Sequence, residues 1–90
     1  MYLVRVEHDV PDYHAWKAAF DSDPLGRERA GVRRHRISRA ADDPGHVMID
    51  LELDSREQAE AFVDGLHGLW ERVDVMRNPS ARIAELVEST

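Results

Sequence analysis

Tyr2 to His8 alternates strictly. Tyr2, Val4, Val6 and His8 fall on one side, and Leu3, Arg5 and Glu7 on the other. A period of two marks a half-buried strand. From Pro11 the spacing changes to that of a helix. Tyr13, Trp16, Ala19 and Phe20 keep to one stripe, Asp9 and Asp12 sit near the positive N-terminal end, and Asp23-Pro24-Leu25-Gly26 reads as the stop. Arg27 to Ala30 allows a short helical turn that Gly31 breaks. Val32 to Ala40 reads as a second strand interrupted by four arginines. Asp42-Asp43-Pro44-Gly45 has the chemistry of a turn. Val47 to Asp54 is the clearest strand, with Val47, Ile49, Leu51 and Leu53 facing one way and Met48, Asp50, Glu52 and Asp54 the other. The two strands flanking the turn make a hairpin. Ser55 is a suitable N-cap, with Gln58 at the capping-box position. Ala59, Phe62, Val63, Leu66, Leu69, Trp70 and Val73 then hold helical spacing, with a bend or break expected near Gly68. Asn78-Pro79 reads as a further stop, and Ala81 to Val87 as a last strand.

This order, β-α-β-β-α-β, predicts an α+β chain of ferredoxin-like type. It has one four-stranded antiparallel sheet and both helices on one face, in a single domain spanning residues 1–90. The first and third strands are then central neighbours. Their apolar sides must lie under the helices, which need apolar partners. The other sides, carrying Arg5, Glu7, Asp50 and Glu52, form a charged open face, and opposite charges across adjacent strands contribute about 0.2–1 kcal/mol. The pattern leaves the parity of the second and fourth strands open.

Ninety residues without a cysteine bury too small a share of their surface to be robust alone, and no disulfide or thiolate metal site is available. Oligomerisation is the remaining remedy, and an open sheet face invites a homodimer. Hydrophobic content of 42 % argues against disorder, and no apolar run is long enough for a membrane span. The first residues begin directly on a strand pattern with no charged-then-apolar leader, so a cytoplasmic location is expected. The formal charge of −6 disfavours general nucleic-acid binding, where phosphate contacts dominate. The arginine-rich stretch from Arg27 to Arg39 could bind an anion, but the plainer reading is that it offsets neighbouring acidic segments within the fold or the dimer.

His8-Asp9-Val10 and Asp12-Tyr13-His14-Ala15-Trp16-Lys17-Ala18-Ala19-Phe20-Asp21, after the opening strand, together with Ala41-Asp42-Asp43-Pro44 before an acid-terminated strand and Ala59-Glu60-Ala61-Phe62 after it, resemble the antibiotic-biosynthesis-monooxygenase-like superfamily of dimeric α/β barrels, in its short uncharacterised branch. The resemblance spans nearly the whole chain. It implies two sheets stacked face to face in a dimer. It also implies a range of activities: cofactor-free monooxygenases acting on polyketide phenols or quinols, haem-degrading enzymes, polyketide cyclases, and members with no known activity. The haem-degrading branch carries an Asn on the first strand, a Trp near the second helix and a His ligand further on. Trp70 matches the Trp, but Glu7 and His8 occupy the Asn region and no His follows Trp70, which counts against that branch.

Among the five histidines, no pair has the spacing that places two metal ligands on one helix face, so no metal is expected. There is no nucleophile elbow, phosphate loop or dinucleotide fingerprint. His8, at the sheet end where the first helix starts, is the candidate catalytic base, because histidine titrates near neutrality. Its plainer reading is a capping or loop histidine. Tyr13, Trp16, His67 and Trp70 are candidate substrate-binding residues around an aromatic ligand, against plain core packing for the aromatics and half-exposure for His67. The expectation is a cofactor-independent monooxygenase or cyclase acting on a small aromatic or polyketide-like compound in a cleft between sheet and helices. The alternative is a non-catalytic dimeric module that binds a small ligand or partner.

Overall fold

A computed structural model describes all residues, Met1 to Thr90. The elements are β1 (Tyr2–Asp9), α1 (Tyr13–Asp21), α2 (Arg27–Ala30), β2 (Arg34–Ala40), β3 (Asp43–Leu53), α3 (Arg56–Trp70) and β4 (Arg77–Glu85). The sheet order is β2-β3-β1-β4, every pair antiparallel. This is the ferredoxin-like α+β architecture, with β1 and β3 in the centre.

The alternation of the central strands decides which face is which. Val4 and Val6 of β1 and Val47, Ile49, Leu51 and Leu53 of β3 are buried, and they form the core with Trp16, Ala59 and Phe62 from the helices. Register also settles the edge strands. Ile37 lies opposite Ile49, and Ile83 opposite Val4, so both belong to the helix-covered side. The open face carries Arg34 and Arg36 from β2, Asp50 and Glu52 from β3, Arg5 and Glu7 from β1, and Arg82 from β4. As the pattern requires, Arg5 Nε donates to Asp50 Oδ1 at 3.0 Å. Arg34 lies 3.3 Å from Glu52.

Several boundaries differ from the sequence reading. Asp12, and not Pro11, starts α1: its carboxylate accepts from the backbone N–H of His14 (3.0 Å) and Ala15 (3.3 Å). Val32 and Arg33 precede β2. The hairpin turn is Ala41-Asp42, and Asp43, Pro44 and Gly45 belong to β3. The extra residues are absorbed where pairing jumps from Arg39↔Val47 to Ala40↔Asp43. Likewise β4 begins before Pro79 and ends at Glu85, leaving Leu86 and Val87 outside it and exposed. A proline is tolerated there because β4 is an edge strand, so its missing N–H interrupts only one ladder.

Helix α3 runs unbroken through Gly65 and Gly68 to Trp70, where a break near Gly68 was expected. Packing outweighs the propensity cost of glycine here. A β-carbon on Gly65 would stand 3.4 Å from Leu25, an ordinary contact distance, so the helix is closely covered by Leu25 at this point. The predicted capping box is formed: Gln58 N donates to Ser55 Oγ (3.1 Å) and Ser55 N to Gln58 Oε1 (3.2 Å). Gly31 has φ of +100°, and a β-carbon there would press within 2.6 Å of the Gln58 amide. Loop and cap therefore depend on each other.

Phe62 is 5 % exposed, at the centre of the α3 stripe. Phe62→Ala should cost about 3–5 kcal/mol in urea unfolding, the range for a buried phenylalanine. A loss below about 1 kcal/mol, the scale of surface substitutions, would contradict its place in the core.

Candidate functional site

His8 continues the buried side of β1 after Val4 and Val6. It is 2 % exposed, and it is the one polar residue among the buried set. This overturns the plainer reading of a capping or loop histidine: the side chain lies inside, under the helices. Its ring sits 5.2 Å from that of Trp16, inclined at 59°. Trp16 is in turn 5.3 Å from Phe20. The Nδ1 atom of His8 is buried and has no hydrogen-bond partner. Leaving such an atom unpaired costs roughly 1–3 kcal/mol, and native structures satisfy nearly all of them.

The ring borders a cavity of about 170 Å³ between the sheet and the helices. Val6, Ile49 and Leu51 form its floor on the sheet. Trp16 and Phe20 of α1 and Phe62, Leu66, Leu69 and Trp70 of α3 form its walls. Val73, Val75 and Met76, from the irregular strap between α3 and β4, also line it, as does the 22–25 segment. Asp23 and Arg27 are its charged lining residues, and they neutralise each other at 3.3 Å. Arg27 Nη1 is already committed to the Phe20 carbonyl at 2.8 Å, with its guanidinium 3.9 Å above the Phe20 ring. Among the titratable residues that line the cavity, His8 is therefore the one not tied up in an ion pair.

Of the residues singled out from sequence, the structure brings His8, Trp16 and Trp70 together around this cavity. Tyr13 and His67 do not reach it. Tyr13 is half-buried beside Trp16, with the Arg39 guanidinium 4.6 Å above its ring. His67 is exposed and stands 5.4 Å from Trp70 on the outer side of α3. Val75 and Met76 escaped the sequence reading because they follow the helix without any periodicity. Phe20 and Leu66 were read as core stripe only.

Burial holds the His8 imidazole below the ordinary histidine value. This outweighs the Asp9 backbone and carboxylate, which pull the other way, and the His46 ring adds to the depression. His8 is thus a neutral ring at neutral pH, able to accept a hydrogen bond or a proton. On the open face, the reverse holds for His46. Its Nδ1 lies 2.9 Å from Asp9 Oδ1 and its Nε2 3.3 Å from Glu7 Oε1. The hydrogen bond to Asp9, reinforced by Glu7, raises its pKa against a smaller effect of burial. No set of three or more His, Cys, Asp or Glu side chains is disposed to hold a metal ion.

The fold defines a class: small ferredoxin-like α+β proteins with one open sheet face. Two solved structures are similar over almost the whole of both chains. One is a dimeric ferredoxin-like protein from an uncultured marine organism (12 % identity, 99 % of this chain and 97 % of that one, TM-score 0.72). The other is a protein of Nitrosomonas europaea provisionally described as an antibiotic biosynthesis monooxygenase (23 %, 98 % and 100 %, 0.62). A Deinococcus radiodurans protein with the same provisional description aligns at 14 % identity over 100 % and 96 %, with a TM-score of 0.67. At these identities the likeness is one of fold. No protein-family model matches the chain. No curated protein matches it either. No helix is long and apolar enough to cross a membrane.

The two shifted histidines should titrate on opposite sides of 6.5, their common ordinary value. His8, lowered when folded, binds fewer protons than in the unfolded chain, so its contribution to stability falls as pH drops below 6.5. His46, raised when folded, stabilises below 6.5, and that contribution is lost as pH rises through its own pKa. Histidine ring NMR across pH 4–9 reads both, and His8 titrating above His46 would contradict the assignment.

Proposed function

We propose that the chain binds a small, uncharged, one-ring aromatic molecule bearing a hydroxyl, such as a phenol or hydroquinone, with the hydroxyl donating to His8. The observation that carries this is the buried His8 ring on the lining of an otherwise apolar or self-neutralised cavity. Size narrows the ligand. A dry apolar cavity of ~150 Å³ is known to accept benzene, whereas drug-sized ligands occupy roughly 300 Å³ or more. About 170 Å³ therefore suits one ring, and a fused polyketide would require the strap at residues 71–76 to move.

The activity this arrangement supports is cofactor-independent oxygenation. His8 takes the hydroxyl proton, and the phenolate carbon, now electron-rich, forms a C–O bond with dioxygen. The resulting hydroperoxide loses water to leave a quinone. One oxygen atom ends in the quinone and the other in water, and all four electrons come from the phenol. The provisional descriptions of two fold relatives lend this reading support. A second reading, a non-catalytic binding module, is favoured by one observation: Asp23 and Arg27 are tied to each other, so no further free acid lines the cavity to protonate the peroxide.

The same proposal includes a homodimer with the open faces stacked. In the row Arg36–Asp50–Arg5–Arg82, three guanidiniums share one carboxylate, and Arg5 lies directly opposite Arg82. Like charges so placed are destabilising, and a second sheet bringing its own carboxylates would relieve them. Light scattering should give twice the 10.3 kDa chain mass; a monomer mass across a wide concentration range would remove the dimer.

The ligand is tested by calorimetry with phenol against toluene, which differ by a hydroxyl and a methyl. Wild type should hold phenol at least as tightly as toluene. His8→Leu should lose about tenfold in phenol affinity relative to toluene, the scale of one hydrogen bond. Toluene preferred equally by both proteins would sink the role of His8. Oxygen uptake with a panel of phenols and hydroquinones separates enzyme from binding module: turnover abolished by His8→Leu supports the base, and binding without turnover supports the module.

A further inference from the structure

Residues 7 and 9 flank His8 along β1, and their side chains project onto the open face, the opposite side of the sheet from the cavity. One imidazole holds both. His46 Nδ1 meets Asp9 at 2.9 Å and Nε2 meets Glu7 at 3.3 Å. Both acceptors are carboxylates, so both ring nitrogens must donate, and only the doubly protonated imidazolium can do that. The bridge sits where the sheet needs it. Pairing of β1 with β4 jumps from Glu7↔Ser80 to Asp9↔Arg77, leaving His8 without a register partner on that side. Pro79, in the interrupted stretch, has no N–H to offer, and Asn78 stands at φ +53°. Asn78 Nδ2 reaches back to Asp9 Oδ2 at 3.4 Å. Side-chain bonds thus stand in for the missing ladder at the position that aims His8 inward.

We infer that His46 is a positioning residue for His8: its imidazolium, bridging Glu7 and Asp9 across the open face, fixes the strand segment that presents the His8 ring to the cavity. The binding arm of this inference rests on reading the cavity as a ligand site; the structural arm does not. Besides the His8 ring, on which its charge acts directly, the groups that face His46 are few. From β1 come Glu7 and Asp9. Arg77 of β4 lies opposite Asp9, Asp43 is on the same strand as His46, and the neighbouring β2 residues Ser38 and Ala40 carry no charge. Deprotonating His46 therefore removes one of the two donors and loosens the segment. Ligand affinity should be confined to a window in which His8 is neutral and His46 is charged. Phenol, titrating near 10, stays uncharged throughout.

The test uses wild type, His46→Gln and His46→Arg. Gln keeps polarity but not charge, whereas Arg keeps a cation with several donors. Without any ligand, the His8 ring resonances of wild type should shift a second time as His46 titrates, and this second step should be absent from both variants. With phenol as probe, wild-type affinity should fall at the high-pH edge. His46→Gln should be about two- to fivefold weaker than wild type where His46 is charged, the scale of an exposed ion pair, and should match wild type above the high-pH edge. His46→Arg should restore affinity and remove the high-pH limb. A His8 titration in wild type with a single step, unchanged in His46→Gln, would overturn the inference whether or not phenol binds. An Arg variant as weak as Gln would also overturn it.

Discussion

His8 occupies the third place in a row whose first two members are Val4 and Val6. Strand alternation leaves it no choice of side: if the valines face the helices, so does the imidazole. The ring is taken out of water with its Nδ1 unpaired, at a cost comparable to what burying one of the valines contributes. A chain this small has little stability in reserve. The helices above do not close over the ring with leucine or valine alone. They leave an apolar space edged by Trp16 and Trp70, and a molecule with one donor and one flat face would suit both the imidazole and the walls.

The same alternation makes β1 a hinge between two chemistries. Its inward residues build the core and end at the cavity. Its outward residues, Arg5, Glu7 and Asp9, are engaged in charge pairs with Asp50 and His46. Side chains on opposite faces of one strand share a backbone, which is the physical link the inferred positioning role of His46 relies on. The two histidines next to each other in this region, His8 and His46, are shifted in opposite directions for opposite reasons, burial for one and paired carboxylates for the other.

Much of this was legible in the sequence wherever period was strong. The alternation of Tyr2 to His8 and Val47 to Leu53 predicted the inward face and the Arg5–Asp50 pair, and the spacing from Ala59 to Trp70 predicted the α3 stripe. Legibility failed where tertiary pairing overrides local chemistry. Asp43-Pro44-Gly45 has turn composition, yet it is drawn into β3, where Val10 N donates to the Gly45 carbonyl at 2.8 Å. Asn78-Pro79 reads as a stop, yet an edge strand accepts the proline. Gly68 weakens an isolated helix, yet this one is held along its length by packing. Of the site, Trp16 and Trp70 were visible because helical spacing turns them inward. Tyr13 shares the Trp16 stripe but lies one turn too early to line the cavity. The strap residues Val75 and Met76 have no period to betray them, and the bridge from His46 depends on register between strands that no single-strand pattern reveals.

On this reading the buried His8 ring is the receptor for a ligand hydroxyl in the cavity beneath the helices. A crystal structure with 4-bromophenol tests it most directly, because the bromine marks the ring's position by anomalous scattering. Bromine density is expected between Trp16 and Trp70, with the phenol oxygen within hydrogen-bond distance of a His8 ring nitrogen, about 2.6–3.2 Å. A cavity that stays empty at saturating ligand, or a ring seated with its hydroxyl turned away from His8, would contradict it.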